Sequence, residues 1–168
     1  ISYNYGANNA YRVKKAFRLL LISCLTYSAI LWLLAMVVPN MFAAIFTSDP
    51  ALTEITVWAL RIYMGGCLLF GAQIACQQTF IALGNAKTSA FLAMFRKIIV
   101  LIPLIYILPM FIEDKVMAVF LAEPIADILA VLTTVTMFVL FFKKLLRNMD
   151  EEHVEEAKQQ TQLEEKEA

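Results

Sequence analysis

The chain has 168 residues, of which 61% are hydrophobic and only 17% are charged. Soluble domains have about 45–50% apolar and about 25% charged residues, so this composition excludes an ordinary water-soluble enzyme, a disordered chain and a nucleic-acid-binding protein and favours an integral membrane protein. The net charge of zero divides unevenly, because residues 150–168 hold eight acidic residues and two lysines, while residues 1–149 hold twelve basic and six acidic residues.

Four apolar stretches are long enough to cross a bilayer, whose hydrocarbon core of about 30 Å takes roughly 20 helical residues. They are predicted to be helices, because their apolar runs are continuous and lack the alternation of barrel strands. The third stretch must take in Arg96 and Lys97 to be long enough. We predict an all-α integral membrane fold, with a transmembrane bundle over residues 1–148 and an acidic tail over 149–168. The stretches are about Leu19–Val38, Ile55–Leu83, Thr88–Ile112 and Val116–Phe142.

The charges between these stretches orient the bundle. Basic residues lie before the first stretch, between the second and the third, and after the fourth, whereas the other two connecting segments carry mainly acidic residues. Because lysine and arginine mark the cytoplasmic side, all five segments agree on four crossings with both chain ends inside. The acidic tail should then be cytoplasmic, either as a solvated helix or as a disordered segment.

Two carboxylates, Glu123 and Asp127, lie within the fourth stretch. A charged side chain at mid-bilayer costs at least about 2.5–3.5 kcal/mol and marks a bundle interior, a partner or a water-filled cavity. The two residues are four apart and share a helix face, and Asp127 lies about 16 Å into the helix, near the midplane. We expect them to couple cations or to line a cavity, since neighbouring carboxyls away from water can bind and release a proton. Alternatively, both make permanently buried hydrogen bonds to neighbouring helices.

The second stretch carries Gln73 and Gln77 on one helix face. Glutamine within a membrane needs a hydrogen-bonding partner, which is usually another helix. The functional alternative is the polar wall of a substrate cavity, and Asn4, in the polar opening of the chain, is a further candidate for that wall. None of the three cysteines has the spacing of a metal site or a disulfide framework, so no metal is expected.

Three segments resemble the multidrug and toxic compound extrusion (MATE) carriers. The opening resembles the end of the second helix in the C-terminal half of those carriers and reads SYNYGANNAYRVKKAF. A later run resembles the segment joining the fourth and fifth helices of that half and reads QQTFIALGNAKTSAFLAMFRKIIVLIPLIYILP. A run in the fourth stretch resembles the last helix of that half and reads AEPIADIL. The resemblance covers about residues 1–142 in the right order and is strongest to the bacterial branch of staphylococcal-type multidrug exporters.

The resemblance implies a twelve-helix carrier of two six-helix lobes, in which this chain supplies the end of helix 8 and helices 9 to 12, most of the C-terminal lobe. Such carriers sit in the bacterial cell membrane and exchange sodium ions or protons for bulky, often cationic organic compounds. The implied partners are the lipid bilayer, the N-terminal lobe of the same chain and small organic substrates, with no nucleic acid. The only implied cofactor is the coupling ion, H⁺ or Na⁺. The start at Ile1, without a methionine, leads us to expect a fragment.

One position departs from the family pattern. Members of the sodium-coupled branch carry an acid on helix 10 where this sequence has Gln73. The resemblance therefore implies that the C-lobe sodium site is absent and that coupling uses protons or passes through the N-terminal lobe. Asp127 is then the best acid that this half offers.

Two other functions stay open. A lipid-linked sugar flippase of the same superfamily would need a more basic cavity than Arg61 and Arg96 provide. A self-contained four-helix protein would be a small dimeric drug pump or a scaffold. Catalysis has no support, because the sequence holds no Ser/His/Asp grouping, no phosphate loop and no HExxH spacing. The chain is interpreted as a transporter and not as an enzyme.

Overall fold

The computed structural model describes residues 1–167, and helices account for nearly all of them. A 3₁₀ turn over Met64–Gly66 joins α4 to α5, and a π-helical segment over Phe95–Leu101 joins α6 to α7. The α-helices are α1 (Ser2–Gly6), α2 (Ala10–Val37), α3 (Pro39–Ala44), α4 (Pro50–Tyr63), α5 (Cys67–Ala82), α6 (Ala86–Met94), α7 (Ile102–Phe111) and α8 (Lys115–Glu167).

Four helical units are long and apolar enough to cross a membrane, which confirms the predicted all-α membrane fold with four spans. These helices are longer than the apolar stretches in the sequence, because they extend beyond the hydrocarbon core to capping residues at the polar membrane surface. The side chain of Asn9, for example, accepts a hydrogen bond from the backbone N–H of Arg12 at 2.9 Å and caps α2, which begins at Ala10, nine residues before Leu19. The units run over Ala10–Val37, Pro50–Ala82, Ala86–Phe111 and Lys115–Glu152.

The acidic tail continues α8 without interruption as far as Glu167. Of the two conformations expected for the tail, the structure therefore has the helix. Arg147 and Glu151 lie one turn apart on this extension, and their charged atoms are 3.6 Å apart. Both side chains are exposed, so this pair adds little stability.

α8 is the central helix of the bundle. A larger share of its membrane span is buried than in any of the other three spans. One face of α8 is a stripe of alanines at every fourth position, each at most 1% exposed, which lets neighbouring helices approach closely. The stripe consists of Ala118, Ala122, Ala126 and Ala130.

An aromatic cluster joins α2, α5 and α8 near the start of α2. Phe17 of α2 lies with its ring centroid 4.7 Å from that of Phe138 on α8, and Phe80 of α5 lies edge-on to Phe138 at 5.3 Å. Such pairs contribute about 0.5–1.5 kcal/mol each beyond the area that they bury. Because Phe17, near the start of α2, meets Phe138 in the second half of the membrane span of α8, these two helices are antiparallel.

Gly71 sets the closest approach of α5 to α2. A Cβ atom at this position would lie 2.5 Å from the carbonyl oxygen of Cys24 and 2.7 Å from Oγ of Ser28. Both contacts are shorter than van der Waals distance, and the first involves backbone that cannot move aside. We expect Gly71→Ala to lower the free energy of unfolding by about 1–3 kcal/mol through overpacking. The measurement is denaturant unfolding in detergent micelles, followed by the fluorescence of Trp32 and Trp58.

Gly6→Ala is the matched control for this prediction, because a Cβ atom there has nothing within 4 Å. The control should stay within about 0.5 kcal/mol of the parent protein. Equal stability of the two variants would mean that α2 and α5 can separate without cost, and it would contradict the close packing at Gly71.

Candidate functional site

The two carboxylates of α8 lie on one buried helix face. Glu123 is 8% exposed and Asp127 is 6% exposed, although both are acidic residues within a membrane span. The sequence prediction that they share a face is therefore confirmed. Both carboxylates point at the same guanidinium group, which belongs to Arg96.

Arg96 forms hydrogen bonds with both acids. Its Nε donates to Oδ1 of Asp127 at 2.6 Å, and its Nη2 donates to Oε1 of Glu123 at 2.8 Å. Nη2 also forms an ion pair with Oδ1 of Asp127. Hydrogen bonds between ionised partners are about twice as strong as neutral ones, so the guanidinium group fixes the relative position of the two carboxylates.

The π-helical segment brings two adjacent basic residues to this site. Neighbouring residues on an α-helix point about 100° apart, yet Lys97 Nζ also reaches Oε1 of Glu123, at 3.2 Å. The wide π turn changes the direction in which side chains leave the helix, and such turns are frequent at functional sites. The Arg96 side chain is 13% exposed and that of Lys97 is 54% exposed. Arg96 is therefore the buried partner, and Lys97 reaches out of the bundle.

A cavity of about 280 Å³ lies next to the ion pairs. Its other wall comes from the junction of α4 and α5, where Phe70 places its ring centroid 4.8 Å below the guanidinium carbon of Arg96. The ring face attracts the cation and shields it from water. The lining residues are Tyr63, Met64, Cys67, Phe70, Arg96, Lys97, Glu123 and Asp127.

Gly66 lets this wall approach Asp127. A Cβ atom at Gly66 would lie 2.8 Å from Cβ of Asp127 and 3.1 Å from its Oδ2. Any larger residue at Gly66 would push the carboxylate away from Arg96. The 3₁₀ turn over Met64–Gly66 thus lies close against Asp127 and narrows the site.

The cluster is electrically balanced. Two carboxylates face two cations, and this pairing offsets the cost of placing four charges in a membrane span. A proton or an external cation that binds a carboxylate would compete directly with Arg96. The geometry therefore allows exchange of cations at the acids, and it also allows a fixed structural contact.

The polar candidates on α5 lie outside this cavity. Gln73 is 2% exposed, and its Oε1 has no hydrogen-bonding partner among the described residues. The same holds for Nε2 of Gln77 and for Oγ1 of Thr134. Gly66 faces Asp127, and Phe80 packs on Phe138. Helices α5 and α8 therefore run parallel.

Asn4 lies apart from the Arg96 cluster and from the two glutamines of α5. It lies in α1, is half-buried, and its backbone carbonyl accepts a hydrogen bond from the N–H of Asn9 at 3.1 Å. It does not line the cavity at Arg96. The structure thus brings Asp127 and Glu123 together and leaves Gln73, Gln77 and Asn4 elsewhere. Sequence reasoning missed both basic partners of the acids, Arg96 and Lys97, as site members.

The fold is that of a polytopic all-α membrane protein with a buried ion-pair site, and comparison with known proteins identifies the family. The MatE family profile matches residues 1–107, so the chain belongs to the MatE family. Among curated proteins, none matches the chain.

Several solved structures are similar to the chain. A structure described as the MATE multidrug transporter DinF-BH in complex with R6G is 33% identical, with a TM-score of 0.73 over 82% of this chain and 30% of that one. An inward-facing MATE family transporter of the MOP superfamily is 17% identical, with a TM-score of 0.80 over 87% of this chain and 34% of that one. An outward-facing counterpart is 16% identical, with a TM-score of 0.79 over 87% and 33%. The chain spans about a third of the length of these structures.

Proposed function

We propose that this chain is part of the C-terminal lobe of a multidrug carrier, which exports organic compounds in exchange for protons. The observation that carries the proposal is the buried cluster of Arg96, Glu123 and Asp127 in a member of the MatE family. Charges this deep in a membrane span usually serve ion or substrate pathways. Both chain ends would lie in the cytoplasm of a bacterial cell, an orientation that the charge asymmetry supports.

Coupling would act through competition for the carboxylates. In the resting arrangement Arg96 neutralises Asp127 and Glu123 together. A proton that binds Asp127 removes one of these charges, and Arg96 then keeps only Glu123 as its partner. The freed guanidinium group can shift within the cavity next to it. The energy of this side-chain rearrangement would link proton binding to the movement of the whole unit.

The same unit would keep its internal arrangement during transport. Its fold matches an inward-facing and an outward-facing transporter nearly equally, with TM-scores of 0.80 and 0.79. This similarity supports a lobe that moves largely as a rigid body, as many carriers do. The residues of the Arg96 cluster would then change their exposure to water more than their distances from one another.

Protons are favoured over sodium as the coupling ion. Sodium needs several oxygen ligands in one place, and the two carboxylates here are occupied by nitrogen donors of Arg96 and Lys97. Gln73 stands where the resemblance places an acid in the sodium-coupled branch. Gln73 and Gln77 would form a neutral polar wall of the substrate cavity. Asn4 remains a candidate for the same wall.

Transport in vesicles tests the coupling ion. With the full-length carrier in proteoliposomes, an imposed pH gradient should drive accumulation of R6G without sodium, and a sodium gradient at constant pH should not. R6G is the probe because it was bound in the similar DinF-BH structure. Vesicles whose pH gradient has been dissipated are the control. Movement driven by sodium alone would contradict proton coupling, and no movement under either gradient would contradict the export function.

A further inference from the structure

A second cavity, of about 450 Å³, lies between α2, α5 and α8 and has no role in the proposed ion coupling. Ten of its twelve lining residues are apolar, and the other two are lysines. We propose that this cavity, named here the α2–α8 groove, binds one acyl chain of an anionic phospholipid whose phosphate lies between Lys14 and Lys143. The inference does not depend on transport activity.

The length of the groove fits one leaflet of a bilayer. Its wall on α2 runs from Lys14 to Leu25, and its wall on α8 runs from Val135 to Leu146. Each wall covers eleven helical steps, or about 16 Å. Half of a bilayer's hydrocarbon core measures about 15 Å. An acyl chain in the groove would therefore reach from the membrane surface to the midplane.

Both lysines lie at the same end of the groove. The start of α2 meets the second half of the membrane span of α8, as the contact between Phe17 and Phe142 at 5.1 Å shows. Lys14 and Lys143 are exposed and, among the side chains that the structure describes, neither forms an ion pair. Lysine stems pack along apolar surface while the ammonium group stays at the polar boundary. Two free cations above an apolar groove complement a phosphate that carries an acyl chain.

The wall of the groove on α5 consists of small side chains. Ala72 and Cys76 form this side, and Cys76 is 3% exposed. Neither residue offers a hydrogen bond that an extended polar ligand would need. The groove thus selects a hydrocarbon chain along its length and an anion only at its lysine end.

Native mass spectrometry tests the groove. The protein, purified from its membrane in mild detergent, is offered equal amounts of phosphatidylglycerol and phosphatidylcholine, and bound lipid is counted. The parent protein should retain phosphatidylglycerol preferentially. Lys14→Gln with Lys143→Gln should lower this preference about tenfold or more, because the charge-assisted hydrogen bonds from both lysines to the phosphate are lost.

The matched control is Lys15→Gln with Lys144→Gln, which removes the same charge from neighbouring positions on the same helices. Neither of these lysines lines the groove. A second variant, Ala72→Leu, fills the apolar part without changing charge and should reduce binding of both lipids. Equal loss in the groove and control pairs, or no preference for phosphatidylglycerol in the parent protein, would overturn the proposal. Unchanged lipid binding in Ala72→Leu would also overturn it, because it would place the lipid elsewhere.

Discussion

Replacing Arg96 with glutamine is expected to lower the free energy of unfolding by about 3–5 kcal/mol, the usual cost of breaking a buried ion pair. Glu123 and Asp127 would remain 8% and 6% exposed without their shared partner. Lys97 reaches only Glu123, so Asp127 would lose all of its described hydrogen bonds. The measurement is denaturant unfolding in detergent micelles, followed by tryptophan fluorescence.

Arg61→Gln is the matched control for this change. Arg61 also lies within a membrane span, but it is exposed and makes no ion pair among the described side chains. Arg61→Gln should lower the free energy of unfolding by less than about 1 kcal/mol. A rescue experiment adds Glu123→Gln and Asp127→Asn to Arg96→Gln, and neutralising all three groups should restore much of the stability. If Arg96→Gln unfolded like the Arg61 control, the cluster would not hold the bundle together.

Replacing Asp127 with asparagine is expected to reduce drug efflux strongly or to change its pH dependence. An amide cannot bind and release a proton at neutral pH, so the proposed competition with Arg96 would be lost. The side chain keeps its size, and Arg96 keeps Glu123 as a partner at 2.8 Å, so the fold should be affected less than by Arg96→Gln. Efflux of R6G from vesicles of the full-length carrier, measured between pH 6 and pH 8, checks this.

Glu113→Gln serves as the control for Asp127→Asn, because Glu113 is an exposed acid in the connection before α8. It removes one negative charge without touching the cluster, and its efflux should equal that of the parent. Efflux and a pH profile unchanged in Asp127→Asn would return this residue to the role of a permanent helix–helix contact. Reduced efflux together with reduced protein in the membrane would instead report on folding, so the amount of inserted protein is measured alongside.

The membrane helices were predictable because the bilayer imposes a constraint that acts along the chain. A span needs about 20 apolar residues wherever it lies, and counting them found all four units. The helix ends were less accurate, because polar residues extend helices beyond the hydrocarbon core. Caps such as that of Asn9 on Arg12 are local, but whether a helix continues past the apolar region depends on its surroundings.

Part of the ion-pair site was also predictable. Glu123 and Asp127 were singled out because charge at membrane depth is costly. Arg96 was assigned to a basic segment that marks the cytoplasmic side, although its position within the third stretch was recognised. A usable signal existed. The short connection after Phe111 makes the last two spans antiparallel, and counting back from it brings Arg96 to within about one helical turn of the level of Asp127.

The sequence by itself determined the class of protein, the number of membrane helices and the family, because hydropathy, spacing and motif order are properties of the chain. Only the tertiary structure decided that Arg96 holds Glu123 and Asp127, which are 27 and 31 residues away. That contact depends on a π turn, on the missing side chain of Gly66 and on the packing of Phe70. Each of these acts through short distances between separate helices. A neutral total charge thus conceals a specific pairing of charges inside the membrane.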